Sequence, residues 1–303
     1  MTQAASEANT RRHRRHVYPA SQSHRWRVGR SSPRHHGLPG LLPATRVRAK
    51  AELRSYLRCV SSIVLTLALP ILMLVVFGAL FVRGHLLPAE SGAREVILPG
   101  VIAVGIMSAS FATLALSVAT DRESGLIRRL AATPMPRAAY FGGAIVKAGA
   151  ISAVTTLTLT VLAIGVFGLP LPTDPGRWLT FTWVVVLGTV SCALAGIAFT
   201  ALIPTARMAP FIVLPAFLLL QIISGVFFPS AALPEAVQWI ANCFPLAWIA
   251  EGLRAALLAP GLAALEPDGR WHLGWVALAL GAWAVLAGLA CALTVRWRGA
   301  RVR

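Results

Sequence analysis

The feature that most constrains this chain is the length of its apolar stretches. A helix needs about 20 consecutive apolar residues to cross the hydrocarbon layer of a bilayer, and the sequence offers six stretches of that kind. In a soluble domain the apolar residues are divided into shorter, amphipathic runs. The sequence therefore predicts an all-α polytopic membrane protein with six transmembrane helices. Their approximate bounds are 61–82, 96–119, 141–169, 178–203, 208–228 and 271–295.

Basic residues are concentrated in one set of connecting segments. The formal net charge is +17, and 22 of the 28 Lys and Arg lie before the first span, at 120–140, at Arg207 or after the last span. The other three loops carry five, and Lys147 lies near the start of a span, where we expect it to snorkel to the interface. Because basic loops stay in the cytoplasm, this contrast predicts that both termini are inside. Topology and anionic lipid account for the charge, so it does not indicate nucleic-acid binding.

The region before the first span has two parts. Residues 1–43 are rich in Arg, His, Ser, Pro and Gly, which predicts a disordered basic cytoplasmic tail. Residues 44–58 predict a basic amphipathic helix that lies at the cytoplasmic membrane surface, an interpretation compatible with a simple basic flank of the first span. Its apolar face is formed by Val47, Ala51, Leu53, Tyr56 and Leu57, and its polar face by Arg46, Arg48, Lys50, Arg54 and Arg58.

The loop between the second and third spans has the pattern of a short, capped helix. Thr120 and Glu123 have capping-box spacing, and prolines at 134 and 136 stop the helix. Gly125 has no side chain, so it would allow a partner to approach closely. An ordinary connecting helix without a partner would have the same pattern. The candidate contact residues are Asp121, Arg122, Glu123, Ser124, Gly125, Arg128, Arg129, Pro134 and Arg137.

The segment between the fifth and sixth spans is apolar but divided by prolines. We expect one short helix that ends at Asn242 and a second at about 247–258, with Glu251 and Arg254 at i, i+3 on the latter. Such helices fit a re-entrant segment on the outer side. A seventh span is the alternative, but it would bury both charged side chains and place the C-terminus outside. The residues that define this segment are Pro229, Pro234, Pro245, Glu251 and Arg254.

Motifs for catalysis and for nucleotide binding are missing from the sequence. A Walker A loop has Gly before its Lys, but the two lysines, Lys50 and Lys147, follow Ala49 and Val146. No catalytic triad pattern, zinc-binding spacing or H-E-x-x-H motif occurs, so we expect neither an enzyme nor a bound cofactor or metal. The spans contain no Asp or Glu, which disfavours the alternative of a secondary transporter or channel driven by an ion gradient.

Three motifs in register with these spans carry a resemblance to a known family. They are DRESGLIRRLAATPMPR at 121–137, ISGVFFP at 223–229 with the LPEAVQWIANCFP that follows, and AEGLRAAL at 250–257. Over roughly residues 44–298 the chain resembles the ABC-2 family of ATP-binding-cassette transporter permeases. Within that family it is most similar to the bacterial drug-export permeases of the daunorubicin-resistance type.

The resemblance implies a division of labour between subunits. Residues 44–303 would form the transmembrane domain, in a bacterial cell membrane, with the amphipathic helix as interface helix and 121–130 as the coupling helix. A separate cytosolic ATPase, in two copies, would bind ATP and Mg and dock on that coupling helix. A second permease chain, taken as identical, would complete the transporter. The expected substrate is a hydrophobic drug or lipid-like molecule moving outwards.

Overall fold

A computed structural model describes residues 41–58, 60–83, 93–133, 137–169, 172–227, 234–266 and 269–294, and they contain no β-strand. The all-α prediction is therefore confirmed for these residues. The α-helices are Leu41–Arg58 (α1), Val60–Phe77 (α2), Ala93–Met107 (α3), Thr113–Glu123 (α4), Leu126–Ala131 (α5), Arg137–Phe167 (α6), Pro175–Phe199 (α7), Ala209–Ile223 (α8), Glu235–Asn242 (α9), Pro245–Leu257 (α10) and Leu273–Thr294 (α11). Short π-helical turns cover Gly78–Arg83 and Ser108–Ala112, and 3-10 turns cover Thr200–Leu202 and Pro260–Leu265.

Four described helices are long and apolar enough to cross a membrane. They are Ile97–Glu123, Ala138–Phe167, Pro175–Leu202 and Leu273–Leu293, and they coincide with the second, third, fourth and sixth predicted spans. The apolar helices at the first and fifth predicted positions are shorter, Thr66–Leu80 and Ala209–Ile223. The chain is a membrane protein, whereas six spans with both termini inside stay a prediction.

The helix formed by α3, the π turn and α4 is the centre of the bundle. Its apolar stretch is 83% buried, against 22% for α11. Two glycines allow neighbouring elements to approach it closely. A Cβ at Gly100 would clash with the Val226 carbonyl oxygen in the turn after α8, and a Cβ at Gly196 of α7 would lie 2.5 Å from the Phe111 carbonyl oxygen. Small residues at such contacts are typical of membrane helix packing.

The amphipathic helix α1 is docked on the start of α6. A Cβ at Gly142 would come within 2.8 Å of Thr45, and one at Gly143 within 2.6 Å of Arg48. The absence of side chains at these two positions therefore allows α1 to pack closely against α6. The predicted division of its faces is wrong for Arg48, whose side chain is only 13% exposed, whereas Val47 is 72% exposed. Arg48 lies inward, where Glu52 of the same helix and Asp121 of α4 pair with it.

The loop after α4 differs from the single capped helix that the sequence predicted. Thr120 is no N-cap, since its Oγ1 donates to the Leu116 carbonyl oxygen inside α4. The helix continues to Glu123 because its buried face stays packed in the bundle. The turn after Glu123 contains Gly125, whose φ of 72° favours glycine, and α5 follows this turn. The expected helix over 121–130 is thus two helices with a turn between them.

The proline-divided segment forms two short helices, as predicted. They are α9 and α10, which begin just after Pro234 and at Pro245. Their placement on the outer side of a membrane stays a prediction. Residues 1–40, the C-terminal basic residues, Pro134 and Pro229 lie outside the described residues, and Arg137 begins α6.

Candidate functional site

A buried ion-pair network joins α1 to the bundle, with Glu52 at its centre. The Lys147 Nζ donates to the Glu52 Oε2 at 2.7 Å and lies 3.0 Å from the Ser117 Oγ. Arg48 pairs with the other oxygen of Glu52. Lys147 is only 5% exposed, so its ammonium group is held inside the protein against α1, and its position relative to a membrane interface stays a prediction. An ammonium group this deep needs a countercharge, and α1 supplies it.

Asp121 belongs to the same network. The Tyr140 hydroxyl donates to the Asp121 Oδ2 at 2.9 Å, and the Arg48 Nη2 lies 3.7 Å from that oxygen. The Arg48 guanidinium also lies over the Tyr140 ring, 5.1 Å from its centroid, in a cation–π contact. The carboxylate of Asp121 is therefore directed into the bundle and not towards a partner.

The end of α4 is tied to the turn between α7 and α8. The backbone N–H of Ala206 donates to the Glu123 Oε2, and the Arg122 Nη1 donates to the Thr200 carbonyl oxygen at 2.6 Å. Thr200 follows the end of α7, and its carbonyl oxygen also accepts from the backbone N–H of Ile203 at 3.2 Å. The two side chains therefore stabilise the turn, and a cavity of about 250 Å³ lies beside them. The capping role that the sequence predicted for Glu123 is therefore wrong, since its carboxylate contacts the α7–α8 turn.

The exposed charged side chains of α5 are basic. Arg128 and Arg129 are exposed on α5, near its C-terminus, where cations suit the helix dipole. The Ser124 Oγ donates to the Asp121 carbonyl oxygen at 3.2 Å and so helps to close the turn. A Cβ at Gly125 would meet nothing within 4 Å. Its visible role is therefore the left-handed turn.

A second polar cluster lies where α10 meets the start of α11. The Arg254 Nε and Nη2 each lie 2.7 Å from the Glu266 Oε1, and both side chains are buried. Glu251 accepts from the backbone N–H of His272 at 3.0 Å. Burial raises the pKa of the Glu251 carboxyl above its usual range, although this hydrogen bond opposes the shift. Both charged residues that the sequence analysis singled out here, Glu251 and Arg254, thus have partners in the connection between α10 and α11.

Sequence reasoning missed Glu52, Tyr140, Glu266 and His272. One signal was available, because Lys147 stands in an apolar span and such a charge requires a partner. The identity of the partner was not accessible, since Glu52 and Lys147 are 95 positions apart. In the part of the chain that the structure describes, no three His, Cys, Asp or Glu side chains are grouped so that they could hold a metal ion.

Comparison with known proteins identifies the family. The profile of the ABC-2 type transporter family matches residues 44–258, more than two thirds of the chain. The match includes α1, the Glu52 network, the loop around α5 and both short helices. No curated protein matches the chain with significance. The matched range and the helical architecture show that the chain belongs to the ABC-2 type transporter family.

Proposed function

We propose that this chain is the permease subunit of an ATP-binding-cassette transporter that exports a hydrophobic drug or lipid-like molecule. Family membership supports a permease component. A separate ATPase would supply the energy, because neither lysine of this chain stands in a Walker A loop. The exporter assignment, including the daunorubicin-resistance type, rests on the motif resemblance and on the absence of Asp and Glu from the six spans that the sequence predicts.

The observation that carries this proposal is the exposed basic surface of α5. A six-residue helix can bury little surface of its own, and it ends with exposed Arg128 and Arg129. Asp121 accepts from Tyr140, and Glu123, although exposed, accepts from the Ala206 N–H. The helix α5 itself carries no acidic residue, so the charges that it offers a partner are positive. The coupling site would therefore be α5, and it would dock on an acidic surface of the ATPase.

The connections of α5 suit a transmitting role. It follows α4 after one turn, and α4 continues the most buried helix of the bundle. The contacts of Asp121 and Glu123 hold the end of α4 against neighbouring elements. A displacement of α5 would thus reach the core and favour one of two packings of the helices, which need differ by only a few kcal/mol.

The full assembly would have two permease chains, taken as identical, and two ATPases in a bacterial cell membrane. The orientation would be the one predicted from the basic residues, with α1, α5 and the α7–α8 turn in the cytoplasm. Contacts of Arg48 with Asp121, and of Glu123 with Ala206, support this orientation because they gather these three segments at one end of the bundle.

Charge reversal on α5 tests the proposal. In the double variant Arg128→Glu, Arg129→Glu, repulsion from an acidic partner should cost on the order of several kcal/mol. ATPase co-purification and substrate-stimulated ATP hydrolysis should then fall by about tenfold or more, with normal permease levels in the membrane. The matched control is Arg177→Glu, Arg270→Glu, which makes the same charge change in loops predicted to lie outside and should leave both readouts intact. Equal retention of the ATPase by both double variants would rule out α5 as its docking site.

A further inference from the structure

A cavity of about 470 Å³ lies between α1, α2, α4 and α6. This volume falls in the range of small-molecule sites. Ala51 and Ser55, which are exposed on α1, line its mouth, and the buried Thr66 and Lys147 line its interior. The cavity therefore opens beside the amphipathic helix, which the sequence predicts to lie at the membrane surface.

The lining contains charges of both signs, and these charges cancel. Two basic side chains, Arg48 and Lys147, face two acidic ones, Glu52 and Asp121, and six hydroxyl-bearing side chains complete the wall. A simple anion would gain little from such a balanced set, because each cation already has an anion beside it. A ligand that carries both signs of charge matches the arrangement better.

One donor in this wall has no acceptor. The Arg48 Nε is buried and makes no hydrogen bond to any described residue, although the rest of the guanidinium is engaged with Glu52, Asp121 and Tyr140. A buried donor without a partner is unfavourable, so a small movement of the guanidinium that brings the Nε to the cavity surface would let a bound oxygen acceptor stabilise it. An anionic oxygen would form the stronger bond.

We propose that this cavity binds the zwitterionic head group of a membrane amphiphile. Its phosphate oxygens would accept from Arg48, its ammonium group would lie near Asp121, and its tails would follow α2. That helix carries exposed Val64 and Leu72, which suit contact with acyl chains. The inference does not rest on the proposed export function, since a bound lipid of this chemistry would be held with or without an ATPase.

Binding to the purified, delipidated full chain tests the proposal. The probes are short-chain phosphatidylethanolamine, short-chain phosphatidylglycerol and free phosphoethanolamine, and the readouts are native mass spectrometry and the thermal unfolding temperature. A ligand that binds the folded state raises this temperature with concentration. We expect phosphatidylethanolamine to bind about tenfold or more tightly than phosphatidylglycerol. Equal or tighter binding of phosphatidylglycerol would overturn the zwitterionic assignment.

Free phosphoethanolamine distinguishes the sources of this head group. Much weaker binding than the lipid supports a membrane amphiphile, whereas equal binding overturns the contribution of the tails and identifies a soluble ligand. Ala51→Trp fills the mouth without touching the ion pairs and should weaken phosphatidylethanolamine binding by about tenfold or more. The control Val47→Trp, at an exposed position of the same helix outside the cavity, should leave it within about twofold. Unchanged binding in Ala51→Trp would place the lipid elsewhere and refute the proposal.

Discussion

Replacing Lys147 by Met tests whether the Glu52 network holds α1 to the bundle. The substitution keeps the length and apolar stem of the side chain but removes the ammonium group, which lies 2.7 Å from the Glu52 Oε2 and 3.0 Å from the Ser117 Oγ. The Glu52 side chain is only 11% exposed, so water can replace the lost partner only through the cavity that both residues line.

The cost follows from the burial of the pair. At 2.7 Å and an effective dielectric constant of about 20, Coulomb's law gives about 6 kcal/mol of attraction, and much of it is offset by desolvation. Breaking a buried pair by removing one partner typically costs about 3–5 kcal/mol. Because Arg48 still pairs with Glu52 in the variant, we expect the lower end of this range, about 3 kcal/mol.

A double variant separates the ion pair from general damage. Glu52→Gln alone leaves Lys147 buried without its countercharge, whereas Glu52→Gln with Lys147→Met removes both charges. Replacing a whole buried pair by neutral groups is often close to neutral, and Arg48 keeps Asp121 as an acidic partner. The double variant should therefore be more stable than Glu52→Gln alone, and its loss should be smaller than the sum of the two single losses. The assay is unfolding of the purified chain in detergent, followed by a double-mutant cycle. Additive losses, or a Lys147→Met variant within about 0.5 kcal/mol of the unaltered protein, would refute the reasoning.

Three further substitutions or labels test other parts of the structure. In Gly125→Ala the alanine must adopt the left-handed turn at a cost of about 1–2 kcal/mol, and the variant should impair ATPase coupling. The control is Gly149→Ala, in a helix with open space for a Cβ, which should be neutral or stabilising in an unfolding assay. Glu266→Gln leaves the buried Arg254 with a neutral partner and should lower the free energy of unfolding by about 3 kcal/mol. The control Glu235→Gln, at an exposed position, should leave the free energy of unfolding unchanged. Cys243 is exposed and the two other described cysteines are buried, so a membrane-impermeant thiol reagent should label Cys243 from the outer side; labelling from the cytoplasmic side alone would contradict the predicted topology.

Much of the bundle was predictable from the sequence, because hydrophobic length determines which segments can span. The third span, expected at 141–169, is the apolar part of α6, Arg137–Phe167, and the sixth, at 271–295, is α11, Leu273–Thr294. Prolines likewise indicated the division into α9 and α10. These features depend on local sequence, and they form wherever that sequence is placed in a membrane.

The candidate site was less predictable, since its contacts join distant parts of the chain. Local spacing at Thr120 and Glu123 indicated a helix start, but packing of α4 overrides that signal and the helix continues. The partner of Glu123 lies 83 positions away, at Ala206. Charge patterns along one segment cannot reveal such pairs, so the sequence indicates neither the inward contact of Asp121 nor the hydrogen bond that exposed Glu123 makes to the α7–α8 turn.

The network also limits how an ATPase could act on this permease. Lys147 is buried on α6 and its carboxylate partner is on α1, so sliding α1 away from α6 would leave an unpaired charge in the bundle. The hydrogen bond from Tyr140 of α6 to Asp121 joins α4 to these two helices, so α1, α4 and α6 form one unit. Separation of these three helices would cost several kcal/mol, comparable to the difference between two transport states. Under the proposed function, a push on α5 therefore moves α1, α4 and α6 together, and the change in packing occurs between this unit and helices outside the network.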